Sequence, residues 1–250
     1  MEFETEKLYL GEIPLRVIHP VHESRHCVIF YHGWSSDAVS QESRAALLAA
    51  YGWHVLLPEA VNHGERGVLP DYYTPEIYET FWETIFQNAD ECAGMLSYAK
   101  SCGFLAPWIM GHSMGGMTTM QIAYRYTKEI AGAVCFNGSA DWLLTHLFMQ
   151  AAYGKDLGRD WPFYDEIEKR NPLAHIEEML EIPILMTNGE ADTTIDLRAM
   201  THFAEEFFKR GGRGKRVTYP ALPHVVTTNM LDEAIAFMKE FEDGKELTDI

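Results

Sequence analysis

Residues 107–127 read PWIMGHSMGGMTTMQIAYRYT, and this stretch decides the fold. PWIMG (107–111) is a short apolar run bounded by proline and glycine, the pattern of a strand buried on both faces. MGGMTTMQIAYRYT (114–127) carries apolar residues at helical spacing. Between them lies Gly111-His112-Ser113-Met114-Gly115, with Gly116 following. A strand that ends in G-x-S-x-G and passes directly into a helix sets its serine on a tight, strained turn. The neighbours two positions away must be small, because the chain crowds them. The hydroxyl then stands above the sheet edge at a helix N-terminus, where the dipole favours developing negative charge. Ser113 is therefore the candidate nucleophile. The plainer alternative is a glycine-rich turn whose serine only caps the helix.

Outward from this turn, strands and helices alternate. On the N-terminal side, CVIFY (27–31) and WHVLLP (53–58) are buried strands separated by helical spacing over 40–51. TPEIYETFWETIFQNADECAGMLSYAKSCG (74–103) predicts one long helix with Ile77, Phe81, Ile85, Cys92, Met95 and Leu96 inward. Thr74 serves as its N-cap, Pro75 as its first residue and Gly103 as its stop. On the C-terminal side come strand AGAVCF (131–136), strand IPILMTNG (182–189), helix LRAMTHFAEEFFKRG (197–211), strand KRVTYP (215–220) and helix NMLDEAIAFMKEFED (229–243). The chain opens on EFETEKLYL (2–10) and IPLRVIHP (13–20), a β-hairpin turning at Gly11. This alternation implies a mostly parallel central sheet with helices on both faces, in a single domain over 1–250. Residues 138–181 break the rhythm. They hold far more chain than one crossover helix needs, and they are rich in aromatic residues, so they predict a small helical cap inserted in the domain.

Composition narrows the function. The 250 residues are 47% apolar, ordinary for a globular domain, and the net charge is 20 − 37 = −17. Such an acidic surface repels phosphate backbones and anionic headgroups, which argues against nucleic-acid and membrane-surface roles. No apolar run approaches the roughly 20 residues that span a bilayer. MEFETEKLYL is acidic and charge-interrupted, unlike a signal peptide. Cys27, Cys92, Cys102 and Cys135 form no C-x-x-C pair and sit in or beside apolar runs, as reduced core thiols would. The expectation is a cytoplasmic protein without a metal site. The oligomeric state leaves no mark in the sequence.

A serine hydroxyl needs a base, and the base an orienting acid. Of eleven histidines, His224 is the one in a loop just beyond a late strand, in PALPHVV. His19, His22 and His26 lie near the N-terminus, while His146, His175 and His202 fall in helices or the insertion. Asp192, in NGEADTTID (188–196), follows strand IPILMTNG by a short turn and is the preferred acid. Asp196 and Glu190 stay open as alternatives. An oxyanion hole needs two backbone N–H groups. Met114, after the nucleophile, supplies one, and Trp34, in His32-Gly33-Trp34-Ser35-Ser36, supplies the other. His32 reads as a loop-orienting residue outside the chemistry. His63-Gly64-Glu65-Arg66 invites a metal or anion reading, but a structural loop with an Arg–carboxylate pair is favoured.

In motif order, HGW (32–34), PEAVNHGERG (58–67), GHSMGG (111–116), NGEAD (188–192) and PH (223–224) resemble the α/β-hydrolases through nearly the whole chain. The pattern is most similar to small bacterial carboxylesterases related to prolyl-oligopeptidase-like hydrolases. The resemblance implies an α/β-hydrolase fold, a Ser113–His224–Asp192 triad, and an oxyanion hole from Trp34 and Met114. Many relatives carry Asp where this chain has Glu59, in a stretch that is usually structural. The large N-terminal propeller of true prolyl oligopeptidases is missing, which shifts the expectation away from peptides.

The expected activity is hydrolysis of short-chain carboxylic esters through an acyl-enzyme, with a small-molecule ester as partner and no cofactor. A peptidase or amidase on short substrates is the alternative within the class, and a non-catalytic binding protein the alternative outside it. In the insertion, Trp142, Phe148, Trp161 and Phe163 are candidate walls of an acyl pocket, or else anchors of the cap.

Overall fold

The computed structural model describes residues 3–246. Glu2 of the expected hairpin and the two ends of the 1–250 span lie outside the described residues. Strands β1 (Thr5–Leu10) and β2 (Ile13–Ile18) form the hairpin. Then follow β3 (Cys27–Tyr31), α1 (Glu42–Ala50), β4 (His54–Pro58), α2 (Tyr78–Ser101), β5 (Trp108–His112) and α3 (Met114–Arg125). After them come β6 (Gly132–Phe136), α4 (Trp142–Ala152), α5 (Tyr164–Arg170), β7 (Ile184–Gly189), α6 (Leu197–Lys209), β8 (Gly214–Tyr219) and α7 (Thr228–Glu246). The strands make one eight-stranded sheet in the order β1-β2-β4-β3-β5-β6-β7-β8. From β4 to β8 every pairing is parallel, and β2 alone runs against the rest, antiparallel to both β1 and β4.

Period-two alternation divides the central strands between two cores. Cys27, Ile29 and Tyr31 of β3 face a layer containing Ala89 and Cys92 of α2, Met120 of α3, and Phe203 and Phe207 of α6. Val28 and Phe30 face the opposite layer, with Leu48 of α1 and Met230, Ala234 and Phe237 of α7. Both faces are covered, which is why these strands read as unbroken apolar runs.

The long helix begins later than expected. Residues Pro75–Ile77 form a 3-10 turn closed by the Ile77 N–H on the Thr74 carbonyl, and α2 proper starts at Tyr78. The Thr74 side chain caps nothing there. Ile77 is only half-buried, whereas Phe81, Ile85, Cys92, Met95 and Leu96 are buried as expected.

A third cluster joins the insertion to the body. Trp142 and Met149 of α4 and Ile167 of α5 pack against Tyr78, Phe81, Trp82, Ile85 and Phe86 of α2, together with Met114 and Met117 of α3. The insertion thus rests on the first turns of the helix that starts at Ser113. No described helix is long and apolar enough to cross a membrane.

Candidate active site

The turn at Ser113 is as crowded as its glycines suggest. Ser113 has φ +58 and ψ −117, a left-handed setting that few non-glycine residues adopt. A Cβ at Gly111 would run into the Gly115 carbonyl, and one at Gly115 into the carbonyls of Tyr31 and His32. Both positions therefore require glycine, and together they press α3 onto the end of β3. The Ser113 N–H donates to the Phe136 carbonyl at 2.9 Å, tying the turn to β6.

Three loops at the carboxyl ends of β5, β7 and β8 bring the expected residues together. Ser113 Oγ lies 2.8 Å from His224 Nε2, and His224 Nδ1 lies 2.6 Å from Asp192 Oδ2. The Asp192 carboxylate is 1% exposed and His224 19% exposed. Its other oxygen, Oδ1, accepts the N–H groups of Thr194 and Ile195 at 2.8 and 3.0 Å. Both oxygens of the buried carboxylate are engaged, which holds it at one angle to the imidazole. The two other carboxylates have different employment. Asp196 caps α6 through the Arg198 N–H and pairs with the Arg198 guanidinium. Glu190 accepts the Thr218 hydroxyl at 2.8 Å.

The second side of the site is the loop after β3. Gly33 lies against Ser113, since a Cβ there would stand 3.5 Å from Ser113 Cβ. Trp34 follows it, and its ring is fixed by Nε1 donating to the Tyr72 carbonyl at 2.7 Å and by edge contacts with Phe81 and His63. The Met114 N–H is the first amide of α3, one of the orphan donors of a helix N-terminus. Gly33, just before Trp34, and Met114, just after Ser113, thus both lie beside the serine.

His32 is buried with Glu59: its Nδ1 donates to the Gly33 carbonyl and its Nε2 lies 2.9 Å from Glu59 Oε1. His32 Nε2 accepts the Ala60 N–H at 3.1 Å and Glu59 accepts the Ala38 N–H at 3.3 Å, so the stretch after β4 braces the loop that carries Trp34. Arg66 makes a two-pronged pair with Glu91, both contacts at 2.7 Å, and also donates to the Glu59 carbonyl. Among the described residues no group of three or more His, Cys, Asp or Glu side chains is arranged to hold a metal ion.

His63 holds the neighbouring turn. Its Nδ1 donates to the Val61 carbonyl, and its Nε2 accepts the Ser35 N–H at 3.1 Å, where Ser35 has φ +61. Burial, helped by nearby His32, pushes the His63 imidazole down to about 4. A proton on Nε2 would displace the Ser35 donor. The unfolded chain takes up that proton near pH 6.5, so stability falls as pH drops from about 6.5 to about 4. The loss from this group is on the order of 3 kcal/mol. Buried His112, pushed to about 3, adds to the same trend. Melting curves across this range should fall less steeply for His63→Asn than for the wild type. Equal slopes would remove His63 as the cause.

The aromatics of the insertion chiefly engage the body of the domain. Trp142 has no exposed surface, stacks on Phe86 and packs at a tilt against Trp82, so it anchors the insertion to α2. Of the two readings open for Trp142, wall or anchor, its complete burial favours the anchor. Phe163 lies nearly parallel to Phe86 at 5.6 Å. Trp161 stacks on His146 and donates to Glu79 Oε1 at 2.6 Å. Phe148 sits under the Arg198 guanidinium at 4.0 Å. These three are half-buried, with ring faces already engaged.

Sequence reasoning passed over Asn137. It follows β6 with φ +47, is fully buried, and hydrogen-bonds to the loops of both Asp192 and His224. The signal was present, because Asn-Gly after a strand marks a left-handed turn.

Residues 90–244 match the model of the prolyl oligopeptidase family, and residues 22–154 that of the serine aminopeptidase S33 family. The chain is 26% identical over 252 residues to Esterase YjfP of Escherichia coli strain K12, covering 95% of this chain and 98% of that protein. Its fold is similar to that of TT1662 from Thermus thermophilus, with TM-score 0.77, 19% identity and coverage of 96% and 98% of the two chains. It is also similar to that of a thermostable carboxyl esterase from Bacillus coagulans, with TM-score 0.66, 14% identity and coverage of 98% and 99%.

Proposed function

Because the chain belongs to the prolyl oligopeptidase family and has the α/β-hydrolase fold, we propose that it hydrolyses short-chain carboxylic esters through Ser113, His224 and Asp192. It is a serine hydrolase of the carboxylesterase kind. The observation that carries the finer reading is the unbroken chain of contacts from Ser113 Oγ to His224 Nε2 and from His224 Nδ1 to Asp192 Oδ2.

In this reading His224 Nε2 takes the Ser113 proton as Oγ attacks the ester carbonyl. Asp192 keeps the Nδ1 tautomer and stabilises the imidazolium that forms. The Trp34 and Met114 amides receive the oxyanion. The alkoxide leaves with the proton from His224, giving the acyl-enzyme. Water, deprotonated by the same Nε2, then releases the acid and restores Ser113.

The short-chain preference rests on the cap. Its aromatic layer packs directly on Met114 and Met117, so bulky side chains already crowd the start of the nucleophile's helix. Each methylene that finds room gains about 0.8 kcal/mol, and the gain stops when the space is full. Across a series of nitrophenyl esters, kcat/KM should peak at acyl chains of about two to six carbons. A rise continuing to twelve carbons would overturn the short-chain proposal. Both matching family models bear peptidase names, so aminoacyl-anilides belong in the same panel. Anilide turnover above ester turnover would favour the peptidase reading.

A further inference from the structure

We infer that Asn137 is a positioning residue that locks the acid loop to the base loop, so that Asp192 and His224 meet in line with Ser113. The inference rests on the triad reading above. Asn137 is the first residue beyond β6, the strand lying between the one that carries Ser113 and the one that carries the Asp192 loop. Its Oδ1 accepts the Gly189 N–H at 2.9 Å, at the end of β7 and shortly before Asp192. Its Nδ2 donates to the Val225 carbonyl at 2.9 Å, on the residue after His224. Its own N–H donates to the Thr187 carbonyl at 2.8 Å, and the preceding carbonyl, of Phe136, receives the Ser113 N–H. Two adjacent residues thus connect all three catalytic loops.

The chemistry explains the residue type. One end of the side chain must accept and the other donate, which a primary amide does and a carboxylate does not. The backbone must also be left-handed, a setting that asparagine tolerates better than most residues. The base loop is already tied on one side of His224, where the Ala191 N–H donates to the Leu222 carbonyl at 3.0 Å. Asn137 ties it on the other side, at Val225. With both ties in place the imidazole sits between two fixed points. Without Asn137 the loop hangs from one of them, and the His224–Asp192 bond loses its angle.

The test compares wild type with Asn137→Gly, which keeps the backbone setting and removes both bonds, and with Asn137→Asp, which matches in size but cannot donate to Val225 when ionised. The readouts are kcat and KM on nitrophenyl acetate, the rate of fluorophosphonate labelling at Ser113, and the far-downfield proton resonance of the His224–Asp192 bond. Circular dichroism gives the folded fraction. Both variants should lose about 10²-fold in kcat, with KM little changed, because a small misalignment of reacting groups costs about that much. The downfield resonance should broaden or vanish, and labelling should slow in step with kcat. Wild-type labelling and an intact resonance in folded variants would overturn the inference, as would a loss of kcat that only tracks the folded fraction. If wild type itself is not labelled at Ser113, the triad reading fails, and that result is distinct from either of these.

Discussion

Ser113→Ala is expected to lower kcat/KM on nitrophenyl esters by about 10⁴-fold or more, in a protein that remains folded. The change deletes one oxygen whose only side-chain partner among the described residues is His224 Nε2. No core contact is lost, because the crowding at this turn falls on Gly111 and Gly115 and on the backbone. The oxyanion donors and the apolar surround survive, which is why some rate above water should persist. The left-handed backbone adds a second readout. Alanine stays as strained as serine at φ +58, whereas Ser113→Gly relieves the strain, so the glycine variant should be as inactive yet melt higher than the alanine variant. Near-normal turnover in folded Ser113→Ala would end the nucleophile assignment.

His224→Ala should lose activity on the same scale, and Asp192→Asn somewhat less, since the imidazole then remains with a weaker partner. Members of such a set act as a unit, so the Ser113→Ala, His224→Ala double variant should be no slower than Ser113→Ala alone. Multiplying losses would mean that His224 acts independently of the serine. Asp196→Asn is the built-in contrast. Asp196 caps α6 and pairs with Arg198, so its removal should cost about 1 kcal/mol of stability or less and leave turnover near normal. An inactive Asp196→Asn beside a healthy Asp192→Asn would transfer the acid's role.

Why some of this was legible in sequence and some was not follows from how far apart the interacting groups lie. Strand and helix periodicity is local, so CVIFY, PWIMG and AGAVCF announce buried strands, and the glycines around Ser113 announce the turn. Asp192 and Asp196 look alike in sequence, since each precedes a helix by a short turn. What separates them is the backbone contact of Ala191 with Leu222, which brings only the first within reach of His224. The insertion aromatics failed to sort for the same reason. Trp142 and Phe163 owe their surroundings to Trp82 and Phe86, on a helix far earlier in the chain, and a ring that anchors reads like a ring that lines a pocket. The start of α2 was misjudged locally: Thr74 offers its carbonyl, not its hydroxyl, to the first turn.

The parallel order of β5, β6, β7 and β8 has a consequence for the chain as it is made. Synthesis runs from the N-terminus, so Ser113 leaves the ribosome well before Asp192, and Asp192 before His224. A nascent chain halted before residue 224 has the serine but not the proposed base, whose loop follows β8 at the sheet's edge. In the proposed mechanism the growing polypeptide is therefore expected to be inert toward esters until nearly the whole domain has been translated.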